Sequence, residues 1–96
     1  MKQLCVSVVA SGRNGTLYTG VTSDLSRRAY ERRSGAIEGF TKRYGCKRLV
    51  WYERYERMDE AIAREKQIKS GSRAKKIALI QAINPDWRDL YEILND

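Results

Sequence analysis

Leu17-Tyr18-Thr19-Gly20-Val21-Thr22-Ser23-Asp24-Leu25-Ser26-Arg27-Arg28 reads as a strand that turns directly into a helix. Tyr18, Gly20 and Thr22 share one strand face by the period of two. Gly20 has no side chain, so another backbone or a ligand can approach the strand there. Ser23 or Asp24 serves as N-cap, with Leu25 and Ala29 four apart on the helix that follows. Arg27 and Arg28 fall in its first turns, where the helix macrodipole disfavours a cation. Two readings fit them: an anion site, or ordinary solvated arginines.

Working outward, Leu4 to Ala10 is a β-branched, apolar strand, and Asn14-Gly15 in the loop after it is a hairpin signal. Thr16 to Thr22 returns as the second strand, so the chain opens with an antiparallel hairpin. The first helix is predicted from Asp24 to Arg33, stopping at Ser34-Gly35. Ala36 to Cys46 has no clear period and reads as a basic, aromatic connection; long loops inside small domains are often functional. Leu49-Val50-Trp51-Tyr52 predicts a buried third strand, extended through Glu53 to Tyr55. A second helix is capped by Asp59 and ends at Ser70-Gly71-Ser72, and a third spans Arg73 to Ile83. Asn84-Pro85 then opens a final helix, with Trp87, Leu90, Tyr91 and Leu94 lining one core-facing side.

The 96 residues suit one domain, 1–96, with a single modest core. No apolar run approaches the roughly 20 residues of a membrane span, and the apolar run after Met1 is too short for a signal peptide. Cys5 and Cys46 lack metal-type spacing and there is no histidine, which points to a reduced, cytoplasmic chain. The spacing leaves open whether the two cysteines are bridged. The net charge of +7 is concentrated in two blocks. Residues 27–48 hold Arg27, Arg28, Arg32, Arg33, Lys42, Arg43, Lys47 and Arg48 against Glu31 and Glu38. Residues 64–76 hold Arg64, Lys66, Lys69, Arg73, Lys75 and Lys76 against Glu65 alone. Such concentration favours a polyanion-facing surface, with nucleic acid the leading partner because Tyr30, Phe40 and Tyr44 are interleaved in the first block. The competing reading is a pair of solvated helix faces with the aromatics turned to the core.

On the second helix, Ala61, Ile62, Glu65 and Ile68 fall at i, i+1, i+4 and i+7, placing Glu65 within an apolar stripe. An ionised carboxylate buried without a partner costs several kcal/mol. Glu65 therefore either meets an arginine at the core edge or holds a metal at the floor of a cleft.

Five segments, in order, resemble the GIY-YIG nuclease superfamily, most closely its small, single-domain bacterial branch. They are the hairpin with Tyr18-Thr19-Gly20; Leu25-x-x-Arg28; Gly39-Phe40-Thr41-Lys42-x-Tyr44-Gly45; Ala61-Ile62-Ala63-Arg64-Glu65-Lys66-x-Ile68-Lys69; and Asn84-Pro85-Asp86-Trp87-Arg88-Asp89-Leu90. The resemblance implies an α+β fold, a three-stranded antiparallel sheet flanked by helices, in agreement with the element order above. It implies hydrolysis of DNA phosphodiester bonds with one divalent metal, Mg2+ or Mn2+, held by Glu65. Arg28 would stabilise phosphoryl charge, Tyr18 would position or deprotonate the attacking water, and Arg27 would contact backbone phosphate. Lys42, Arg43, Lys69, Arg73, Lys75 and Lys76 complete the expected nucleic-acid surface, with RNA left open beside DNA.

Two positions depart from the pattern. Ser7 stands where the first motif ends in tyrosine, and Arg32 where a histidine is usual. Serine lacks the phenol's reach and its acidity near pH 10, and arginine stays protonated. The expectation is therefore a metal-dependent endonuclease weakened in its water-activating half. The alternatives are a non-catalytic nucleic-acid-binding module and, third, a structural partner in a larger repair or restriction assembly.

Overall fold

Strand β1 (Leu4–Ala10) is buried along nearly its whole length because it is the middle strand of the sheet. It pairs antiparallel with β2 (Leu17–Thr22) on one side and β3 (Arg48–Tyr55) on the other. Both faces of a central strand meet packed layers, so Leu-Cys-Val-Ser-Val-Val-Ala is a nearly unbroken apolar run where an edge strand would alternate. The computed structural model describes residues 4–25, 27, 30 and 45–94. The first helix expected at 24–33 and the connection at 36–46 lie largely outside the described residues.

The hairpin forms as its residues dictate. Ser11 N–H donates to Thr16 O (3.0 Å), Thr16 N–H donates to Ser11 Oγ (2.9 Å), and Asn14 takes a left-handed φ of 56°, which asparagine tolerates better than most residues. The second strand begins at Leu17, one residue later than expected, because Thr16 N–H is engaged by the serine side chain. At the other end of β2, Thr22 Oγ1 accepts from Asp24 N–H (3.1 Å). Asp24 is the cap, its Oδ1 accepting from Arg27 N–H (3.3 Å), and Leu25, Arg27 and Tyr30 have helical backbone.

Two helices cover one sheet face. Helix α1 (Met58–Ser70) packs across all three strands and α2 (Arg73–Ile83) against β3. Val6, Val8, Ala10, Val50, Trp51, Ala61, Ile68, Ile80 and Trp87 form the core between. The register passes from Val8↔Trp51 to Val9↔Leu49, leaving Val50 as an extra residue of β3. The opposite face carries Cys5 and Val9 with Leu25, Cys46 and Leu49. Both cysteines are free and buried. Cys5 pairs with Thr22, whereas Cys46 Sγ donates to Thr16 O (3.5 Å). Thr16 and Thr22 are about 20 Å apart along the extended chain, well beyond the roughly 7 Å between Cα atoms that a disulfide allows.

Two expected helix starts are corrected. Asp59 does not cap α1: the helix begins at Met58 after Arg57, and the Asp59 carboxylate pairs with the Arg57 guanidinium (3.1 Å). A carboxylate in the first turn still complements the helix dipole. Asn84-Pro85 does not open a helix. Asn84 closes α2, its N–H donating to Ile80 O (2.8 Å), and its side chain binds three backbone groups around it. That side chain competes with helical hydrogen bonding, so the final helix, α3 (Tyr91–Leu94), starts only after Asp89 Oδ1 accepts from Tyr91 N–H (3.0 Å). Trp87 is fully buried with φ 55°, in the core but on no helix. No helix among the described residues is long and apolar enough to cross a membrane.

Candidate active site

β2 is a sheet edge, and that exposes Tyr18 to a neighbouring helix. Tyr18 pairs with Val9 and so belongs to the face of Cys5, Ser7 and Val9. Helix α1 lies against the other face, yet its Lys69 reaches the edge: Nζ stands 5.9 Å from the Tyr18 ring centroid. One helical turn earlier, Glu65 Oε2 is 3.4 Å from the same ammonium. A phenol, an ammonium and a carboxylate from two elements thus gather at one sheet edge. The Glu65 side chain is 19% exposed, between the buried Ala61 and Ile68 and the water beyond.

The arginine partner weighed for Glu65 is found one residue away and serves another carboxylate. Arg64 Nε bonds Glu53 Oε1 on β3 (3.1 Å), Arg64 Nη1 donates to Gln67 Oε1 (2.7 Å), and its Cζ lies 5.8 Å from the Trp51 ring centroid. Tyr55 donates its hydroxyl to the same Glu53 oxygen. Burial pushes the Tyr55 phenol above its ordinary pKa, and the Glu53 hydrogen bond adds to the rise. The Glu53–Arg64 pair clasps β3 to α1, while Glu65, the next residue, pairs with Lys69.

Ser7 is 6% exposed and paired with Gly20 on β2 and Tyr52 on β3. Tyr18 is its diagonal neighbour, a relation of about 7–8 Å in antiparallel sheets. The register thus brings Ser7 and Tyr18 to one face with the side-chain-free Gly20 beside them. Arg28, Arg32, Lys42 and Arg43 lie outside the described residues. Arg27 is exposed in the turn capped by Asp24.

On α2, Lys75 is exposed and Lys76 half-exposed, while Arg73 Nη2 donates to the hairpin carbonyls of Asn14 (2.6 Å) and Gly15 (2.7 Å). This bridge explains an arginine at a helix N-terminus and ties α2 to the loop. Beyond the hairpin, Ser11, Gly45, Lys47, Arg48 and Asp89 line an open groove of about 320 Å³. Arg48 Nη1 there donates to Trp87 O (3.1 Å).

Among the described residues, no three His, Cys, Asp or Glu side chains gather as a metal cluster. Glu65 offers a single hard oxygen donor group on a side chain 19% exposed. Magnesium keeps several waters and takes one or two carboxylates together with substrate phosphates, so this donor set fits a single hydrated ion. Lys69 was expected only as a phosphate contact; the i, i+4 spacing from Glu65 was the signal that it also reaches that carboxylate.

Comparison with known proteins agrees with this fold. The GIY-YIG catalytic domain matches residues 5–78. A UPF0213 protein of Staphylococcus saprophyticus is 37% identical over 68 residues, covering 71% of this chain and 83% of that one. One from Staphylococcus aureus is 38% identical over the same length and shares. The solution NMR structure of a UPF0213 protein from Bacillus halodurans aligns with a TM-score of 0.57 at 29% identity, covering 91% of this chain and 92% of that one. With its antiparallel hairpin, its three-stranded sheet and a glutamate-bearing helix against the edge strand, the chain belongs to the GIY-YIG family of nuclease-type hydrolases, which act on nucleic acid.

Proposed function

We propose that the chain is a divalent-metal-dependent endonuclease domain that hydrolyses DNA phosphodiester bonds slowly. The observation that carries the reading is Glu65, its side chain 19% exposed on α1 and paired not with the arginine beside it but with Lys69, whose ammonium lies near the Tyr18 ring. A magnesium or manganese ion on Glu65 would supply Lewis-acid polarisation of the phosphate and stabilise the leaving oxygen. Tyr18 orients the attacking water through its phenol. Arg28 stabilises charge on the phosphoryl group, and Arg27, Lys42, Arg43, Lys75 and Lys76 hold the DNA backbone. Ser7 and Arg32 leave water activation short of a phenol and a base.

The burial of Ser7 favours a second reading, a nucleic-acid-binding module without cleavage, since a serine only 6% exposed offers little contact to a reacting water. Titrating Mg2+ and Mn2+ against labelled linear duplex, branched DNA and RNA of the same sequence, scored for binding and cleavage, separates the two. The expected result is slow, metal-dependent DNA cleavage that Glu65→Gln abolishes while binding persists. Binding with no cleavage at any metal concentration would establish the module instead.

A further inference from the structure

Lys69 stands between two groups from different elements: 3.4 Å from Glu65 Oε2 on its own helix and 5.9 Å from the Tyr18 ring on β2. An ordinary i, i+4 surface pair has both side chains in water. Here the Glu65 side chain is 19% exposed and that of Lys69 50% exposed, so a largely buried carboxylate side chain has a half-exposed cation as its neighbour. A contact of 3.4 Å is looser than the 2.7–2.9 Å of a tight charge-assisted hydrogen bond, and it is one that exchanges readily.

We propose that Lys69 is the resident counter-ion of Glu65, displaced when a divalent cation binds that carboxylate and then turned toward a phosphate oxygen of the nucleic acid. The proposal rests on the reading of Glu65 as metal ligand. Two cations crowded on one carboxylate repel each other, so the ion and the ammonium exclude one another there. A lysine suits the exchange because its compact charge rides on a flexible four-carbon stem. Once displaced, the ammonium regains an anionic partner when a phosphate is present. Metal and nucleic acid should therefore bind with positive coupling, each favouring the other. Lys69 acts here as a positioning residue, through Glu65.

The test measures Mn2+ binding by electron paramagnetic resonance of the free ion, without DNA, for the unmodified chain, Lys69→Met, Lys69→Arg and Glu65→Gln. Thermal melting confirms that each is folded. Lys69→Met is expected to tighten Mn2+ binding about tenfold or more, the scale of removing a unit charge some 5 Å from a divalent ion when the pair is screened as in bulk water. Lys69→Arg, which keeps the charge, should not tighten it. In the unmodified chain the Lys69 Cε–Hε signal should shift on adding Mg2+, and in Glu65→Gln it should stay still. Mn2+ binding by Lys69→Met alone would also support the exchange. Equal affinity in Lys69→Met and the unmodified chain, with loss in Glu65→Gln, would overturn the exchange and leave the metal site standing. Binding unaffected by Glu65→Gln, or absent from every variant, would overturn the metal site itself.

Discussion

Asn84 is the side chain on which the C-terminal third of the described structure depends. It is 4% exposed; Nδ2 donates to Val50 O (3.0 Å) and Arg88 O (2.9 Å), and Oδ1 accepts from Arg88 N–H (3.0 Å). These bonds hold the segment that places Trp87 in the core at a left-handed φ. Each buried bond contributes about 1 kcal/mol net, and a stranded buried acceptor costs about 1–3 kcal/mol more. Asn84→Ala is therefore expected to lose about 3 kcal/mol in urea unfolding. Asn84→Asp keeps the acceptor but loses both donations and buries a charge, so it should fare no better. A midpoint unchanged in either variant would show that packing of Trp87 alone holds the segment.

At the scale of the strand, the burial of β1 determines what a repair of Ser7 can achieve. Its neighbours across the pleat are Gly20 and Tyr52. Overpacking a tight core costs about 1–3 kcal/mol, although Gly20, paired with Ser7 on β2, has no side chain to add to the crowding. Ser7→Tyr would bring a second phenol to the Tyr18 face. General acid–base assistance is worth about 10²–10⁴ in rate, and single-turnover cleavage by Ser7→Tyr should rise toward that range with DNA affinity changed only a few fold. Arg32→His should add to the gain. Rapid cleavage by the unmodified chain, insensitive to Ser7→Tyr, would mean that Tyr18 suffices to activate water.

Over the whole molecule, charge and topology meet. Fourteen cations lie in the two basic blocks, but several are engaged within the fold: Arg64 with Glu53, Arg73 with the hairpin carbonyls, Arg48 with Trp87 O, Lys69 with Glu65. If about six reach phosphate, log K against log salt should fall with a slope near −5. A slope shallower than about −2 would mean that the charges are merely solvated. Lys75→Ala with Lys76→Ala should weaken binding to all sequences alike and flatten the slope. Arg73→Ala should change the slope less, since that guanidinium already has two acceptors. Selective loss for one sequence would point to base readout.

The hairpin, the third strand, helix α2 and the punctuation at Ser70-Gly71-Ser72 were legible from residues alone, because turn chemistry and apolar runs act over a few neighbours. The same local logic put Tyr18 on a strand and Glu65 on a helix, and their motifs in order were enough to point to the family. It failed where a side chain bonds backbone from elsewhere. Asn84 looks like a helix cap in sequence, but its reach to Val50, 34 residues away, makes it the end of one helix and not the start of another. Tertiary packing alone decided that Arg64 meets Glu53 on β3, and that Ser7 lies diagonal to Tyr18. Both depend on which strand forms the sheet edge and on how α1 is rotated against it. Those are matters of long-range register, set by burying two apolar faces at once, and no local spacing encodes them.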